Sequence, residues 1–80
     1  MIKLTDRELE VVELLIKGLN NAEIGEFLSV SEHTAKAHVA SIFKKFNVKN
    51  RVQASVFYVL HKNDYKSVLV QTDDKSVKRL

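Results

Sequence analysis

Two capping boxes stand in the first third of this chain, at Thr5-Asp6-Arg7-Glu8 and at Asn20-Asn21-Ala22-Glu23. In each, a short polar side chain can accept from the backbone N–H three residues on, and the acid there can reach back to the cap's own N–H. Each box starts a helix, so the first helix must end before Asn20 and a second must follow at once. Ser31 supplies a further cap soon after. The 80 residues contain no proline and only two glycines, fewer than a sheet protein built on tight turns would use. The expected fold class is all-α, a compact four-helix domain with a short C-terminal extension.

Apolar spacing fills in the helices. Leu9, Val12, Ile16 and Leu19 recur with helical periodicity, Val11 and Leu15 widen the stripe, and Gly18 can take the left-handed conformation that ends a helix. The second helix is short, with Ile24, Phe27 and Leu28 expected to face inward. Gly25 lies inside it at a cost of about 1 kcal/mol against alanine, which suggests that another helix's backbone passes close by. Ser29-Val30-Ser31 reads as a three-residue turn into a third helix.

That third helix carries Ala35, Val39, Ile42 and Phe46 on one narrow inward stripe. The opposite face is then His33, Ala37, Ala40 and Lys44, flanked by Lys36 and Ser41, with Glu32 in the first turn as its sole acid. Small side chains at the centre permit close approach to a groove, and bases at the edges can meet phosphates. Asn47-Val48-Lys49-Asn50 interrupts the pattern, and Asn50 can cap a fourth helix from 51 to about 61. There Ala54, Phe57 and Tyr58 can complete the core. Val52, Val56 and Val59 form a second apolar stripe that suits a dimer interface with another copy of the chain. A C-terminal tail folded back over the stripe is the competing expectation.

Residues 1–62 thus read as one domain and residues 63–80 as an extension. Within the extension, Lys66-Ser67-Val68-Leu69-Val70-Gln71 fits a short strand, a helical turn or a packed segment, and the polar residues 73–80 are expected to fray.

The net charge of +3 conceals an uneven distribution. Residues 1–28 carry a net −3, residues 29–62 a net +5 and residues 63–80 a net +1. A basic middle beside an acidic beginning suggests a polyanion-binding face on one side of the molecule. With no cysteine there is no disulfide scaffold or thiol nucleophile, and no apolar run approaches the roughly 18 residues of a membrane span. The N-terminus lacks a signal peptide's apolar region. The chain is expected to be soluble and cytoplasmic, with no membrane partner and no small-molecule ligand.

A short helix, a three-residue turn and a longer helix with a basic outward face make a helix-turn-helix. At this point the sequence also resembles the DNA-binding domain of LuxR-type regulators, which the NarL/FixJ class of response regulators shares. The likeness runs through Leu4-Thr5-Asp6-Arg7-Glu8-Leu9-Glu10-Val11-Val12 and Gly18-Leu19-Asn20-Asn21-Ala22-Glu23-Ile24. It continues through Val30-Ser31-Glu32-His33-Thr34-Ala35-Lys36-Ala37-His38 and Lys45-Phe46-Asn47-Val48-Lys49-Asn50-Arg51, covering about residues 4–61 without a gap.

The resemblance implies a sequence-specific transcriptional regulator whose third helix reads the major groove of double-stranded DNA and whose fourth helix dimerises. By position it puts Lys36, Ala37 and Ala40 at bases, and Asn21, Thr34 and His38 near the DNA backbone. Lys49 and Arg51 become candidates for phosphate or structural contacts. Asn20 and Ser41 join the phosphate-contacting set, and Lys44 the base-contacting one. Because Ala37 and Ala40 cannot hydrogen-bond bases, specificity is expected from Lys36, Glu32, His33, thymine-methyl contacts and DNA shape. The sequence departs from the family pattern at Gly25, Ala35 and Phe46, usually alanine, valine or isoleucine, and leucine. These are core positions, so packing rather than DNA binding is in question.

Several residues carry plainer expectations. Glu8 and Glu23 read as capping acids without further role, and Thr34 can simply hold the first turn of its helix. His33 and His38 are five apart, not the four that would make a zinc pair on one face, so no metal or cofactor is expected. With no glycine-rich phosphate loop and no nucleophile paired with a base, no enzyme activity is expected. A second functional reading is a protein-interaction module that binds another regulator or RNA polymerase through the fourth-helix stripe. Family members usually carry an N-terminal receiver or ligand-binding domain, which residues 1–80 do not contain; a free-standing regulator and a part of a longer one are both compatible with that.

Overall fold

The structure, a computed structural model, describes residues 2–62. Over these residues the chain forms α1 (Asp6–Ile16), α2 (Asn21–Leu28), α3 (Glu32–Phe46) and α4 (51–62). Both capping boxes form as expected: Thr5 Oγ1 accepts from Glu8 N at 3.1 Å while Glu8 Oε1 accepts from Thr5 N at 2.9 Å. Asn20 and Glu23 repeat the exchange at 2.9 and 2.8 Å. Ser31 Oγ accepts from Thr34 N, and Asn50 Oδ1 caps α4 by accepting from Gln53 N.

The helix ends are as local as the starts. Gly18 adopts φ 96°, the left-handed conformation expected of it just after α1. Ser29 and Asn47 close α2 and α3 with φ 62° and 60°. Asparagine tolerates that region well, but serine does so less readily, and the carbonyls of α2's last turn compensate by accepting from the Ser29 and Val30 N–H groups.

The core gathers Val11, Val12, Ile24, Ala35, Ile42, Ala54 and Tyr58 out of water completely, with Leu14, Leu15, Val39 and Phe46 nearly so. The four inward residues expected of α3 are therefore the four it buries. Phe46 stacks on Phe57 with ring centroids 4.5 Å apart, so the aromatic departure from the family pattern finds an aromatic partner on α4. On α1 the buried stripe centres on Val11, Val12, Leu14 and Leu15, and the expected Leu9, Ile16 and Leu19 lie at its margin, partly buried.

Two expectations for α2 need correction. Phe27 does not face inward; it is 69% exposed. At about 100° per residue it lies roughly 110° from the centre of a face made by Ile24, Gly25 and Leu28. Gly25 sets that rotation, and the backbone close to it belongs not to another helix but to the turn that follows. A Cβ at position 25 would meet Val30 O at 2.8 Å and Ser31 O at 3.0 Å. The glycine lets the α2–α3 turn fold tightly over α2, which fixes where α3 begins. The extension expected from residue 63 onward lies outside the described residues.

Candidate nucleic-acid interface

Burying Ala35, Val39, Ile42 and Phe46 turns the opposite side of α3 to solvent. Glu32, His33, Lys36, Ala37, Ala40 and Lys44 are all exposed there, and Thr34 and His38 are half-buried at its edges. The result is a shallow face: two methyl groups at its centre, lysines and a histidine around them, and one acid at its start. Thr34 Oγ1 accepts from Ser31 Oγ at 3.0 Å, so it does hold the first turn of the helix while keeping its own hydroxyl proton available.

Beside this face lies a recess of about 350 Å³, bounded by Asn21 from α2, Lys36 and Ala40 from α3, and Lys49, Asn50 and Arg51 from the start of α4. Three cations and two amides border it, and no acid does. The recess thus joins Asn21, Lys36, Lys49 and Arg51, which are widely separated in sequence. Asn50 was missed as a member of this wall; its role as an N-cap was readable, its place beside Lys36 was not.

Not every base of the middle segment belongs to this surface. Lys45 Nζ donates to Glu8 Oε1 at 2.7 Å and to Lys3 O at 3.2 Å, on the side facing α1. Ser41, expected at a phosphate, is turned the same way: its hydroxyl donates to Glu8 Oε2 at 2.7 Å. Arg51 is also engaged, donating through Nη1 to Leu19 O at 3.0 Å and through Nη2 to Asn21 Oδ1 at 2.7 Å. Lys36, Lys44 and Lys49, all exposed, have no carboxylate within ion-pair distance among the described residues.

Glu8 therefore has the further role that its capping position concealed. Burial would push its carboxyl up, but hydrogen bonds from Lys45, Ser41 and the Thr5 N–H, with the Lys45 charge, outweigh that and hold it down to about 2. An acid on α1 thereby fixes the last turns of α3 from behind, leaving the outward face unencumbered. Nothing in the linear pattern links positions 8, 41 and 45, because the contact is made only when α1 packs on α3.

Elsewhere on the domain, α4 leaves Val52, Val56, Val59 and Leu60 between 54% and 74% exposed. A groove of about 340 Å³ runs along it, lined by Ile16, Ser55, Val56, Val59 and Leu60. Among the described residues the three valines of the expected second stripe are thus exposed on α4, together with Leu60, which sequence spacing had not included; the tail expected as their alternative cover lies outside the described residues. No helix among the described residues is long and apolar enough to cross a membrane.

Comparison with known proteins fits this geometry. The family described as bacterial regulatory proteins, luxR family, matches residues 3–58. The nitrate/nitrite response regulator protein NarP of Escherichia coli (strain K12) is 41% identical over 56 residues, 70% of this chain and 26% of that protein. The transcriptional regulatory protein LnrK of Bacillus subtilis (strain 168) is 46% identical over 59 residues, 74% of this chain and 27% of its own length. The transcriptional regulatory protein DegU of Brevibacillus brevis is 51% identical over 53 residues, 66% of this chain and 22% of that protein. The chain spans about a quarter of the length of these relatives. With the matched region, residues 3–58, enclosing the whole helix-turn-helix, the chain belongs to the luxR family of bacterial regulatory proteins.

Proposed function

We propose that the domain binds double-stranded DNA by inserting the outward face of α3 into the major groove. The observation that carries this reading is the composition of that face: Ala37 and Ala40 at the centre, with Lys36, Lys44 and His33 around them, all exposed. Alanine side chains let the helix axis approach base edges closely and offer methyl contacts to thymine, while the lysines reach bases or phosphates. With two alanines where polar readers would stand, Lys36 becomes the main hydrogen-bonding probe of base identity, Glu32 and His33 read near the helix start, and DNA shape supplies the rest. Asn20, Asn21, Thr34, His38 and Lys49 surround this face as backbone contacts.

Dimerisation through α4 belongs to the same reading. Val52, Val56 and Val59, with Leu60, provide an exposed apolar surface on a helix that no other described residue covers, and a second copy brought up about a two-fold axis would bury it. Adjacent half-sites on DNA would raise the effective concentration of a second copy and strengthen this association. The same exposed stripe supports a second reading, in which α4 docks another regulator or RNA polymerase.

The test is to select bound duplexes from a random pool and measure affinity for a selected and a scrambled duplex against salt. Tight selective binding, with a log–log slope near −0.9 for each phosphate neutralised, supports the reading. No preference among duplexes at any salt, together with capture of a heteromeric protein partner through α4, favours the second reading.

A further inference from the structure

We propose that Arg51 is a positioning residue for DNA, orienting the side-chain amide of Asn21 so that its NH₂ group meets a backbone phosphate in the cationic recess. The inference rests on the DNA-binding reading above and gives Arg51 a task different from neutralising a phosphate itself.

A guanidinium has only donors to offer. With Arg51 Nη2 2.7 Å from the Asn21 side chain, the amide must present its carbonyl oxygen to the arginine. Its NH₂ group is then forced to the other edge, and there it makes no hydrogen bond with any described residue. The second arm of the guanidinium binds Leu19 O at 3.0 Å, which ties the loop before α2 to the start of α4. One side chain thus fixes both the backbone leading to Asn21 and the rotation of its amide. Asn21 borders the recess with Lys36, Lys49 and Asn50, and no acid lines that space to compete for the donors. A phosphodiester oxygen is the ligand that such a wall recognises: one negative charge, several acceptor lone pairs and no donor. Holding the amide in place beforehand lowers the ordering cost when the strand arrives.

The experiment compares wild type, Asn21→Ala, Arg51→Lys, Arg51→Ala and the Asn21→Ala/Arg51→Lys double variant on one selected duplex, with thermal unfolding measured alongside. Lysine keeps the charge but cannot span both acceptors. Each single variant is expected to lose about tenfold in affinity, the worth of a hydrogen bond to a charged group. The double variant should lose no more than either single one, and the salt slope should stay at the wild-type value in Asn21→Ala and Arg51→Lys. Additive losses would overturn the proposal, as would a fall of about 0.9 in the magnitude of the slope for Arg51→Ala, which marks a direct phosphate contact. A lower melting temperature with wild-type affinity below the transition makes the arginine merely structural and overturns it equally. If wild type binds, and Lys36→Ala weakens it, but Arg51→Lys does not, the positioning role alone falls. If wild type binds no selected duplex, the DNA reading falls and takes this inference with it.

Discussion

The Lys45 ammonium sits 2.7 Å from the Glu8 carboxylate and joins the last turn of α3 to the first turn of α1. Glu8 also accepts from Ser41 and from the backbone of Thr5, so one carboxylate closes a helix cap and anchors a second helix. Its folded-state value near 2 lies below the 4.5 of an unperturbed glutamate. Stability from this group is therefore complete above pH 4.5 and is lost as pH falls from there toward 2. The difference corresponds to about 3 kcal/mol.

Glu8→Gln should remove roughly 2–3 kcal/mol of that stability at neutral pH, since Lys45 loses its partner charge. Urea unfolding across pH 2 to 7 should show the wild type losing stability toward acid and the variant losing about 3 kcal/mol less over the same span. Parallel profiles for the two proteins would contradict the assignment.

Gly25→Val should destabilise the domain by about 2 kcal/mol or more, although valine has the better helix propensity. The reason is the 2.8 Å approach of Val30 O to the place of a Cβ, a backbone atom that cannot swing aside as a side chain would. Calorimetry checks the stability. A variant as stable as wild type would show that the α2–α3 turn is held less tightly than the structure indicates.

Val56→Asp should leave the monomer folded and abolish self-association. Val56 is 54% exposed, so an aspartate there stays solvated in the monomer but would be buried, at a cost, in a dimer. Sedimentation over a concentration series, with far-ultraviolet circular dichroism as a folding control, measures both. A wild type that stays monomeric on its own DNA repeat would contradict the dimer reading.

Lys36→Ala should weaken binding to a selected duplex by roughly 1–3 kcal/mol and relax the preference at one base position. Lys44→Ala, if that lysine meets phosphate, should weaken all duplexes alike and reduce the salt slope by about 0.9. Fluorescence anisotropy with duplexes varied one position at a time separates these outcomes.

What was legible in the sequence was mainly local. The caps at Thr5, Asn20, Ser31 and Asn50 each act within one helical turn, so spacing alone located the helix starts. The inward stripe of α3 was legible because its four members repeat on one side of a single helix. Phe27 was misplaced because an eight-residue helix offers too few apolar positions to fix its inward face. That face was set instead by the turn packing against Gly25. The ties from Glu8 to Lys45 and from Arg51 to Asn21 span 37 and 30 residues, and no periodicity reports them. Charge counting consequently overstated the cationic surface, since Lys45 is engaged against α1.

The central claim is that the outward face of α3 is the surface that meets DNA. Titrating the ¹⁵N-labelled domain with a selected duplex and following backbone amide shifts tests it residue by residue. The largest changes should fall on His33, Lys36, Ala37, Ala40 and Lys44, with a second group at Asn20, Asn21 and Lys49. Changes confined to Val52, Val56, Val59 and Leu60 on α4, or none anywhere at saturating duplex, would contradict it.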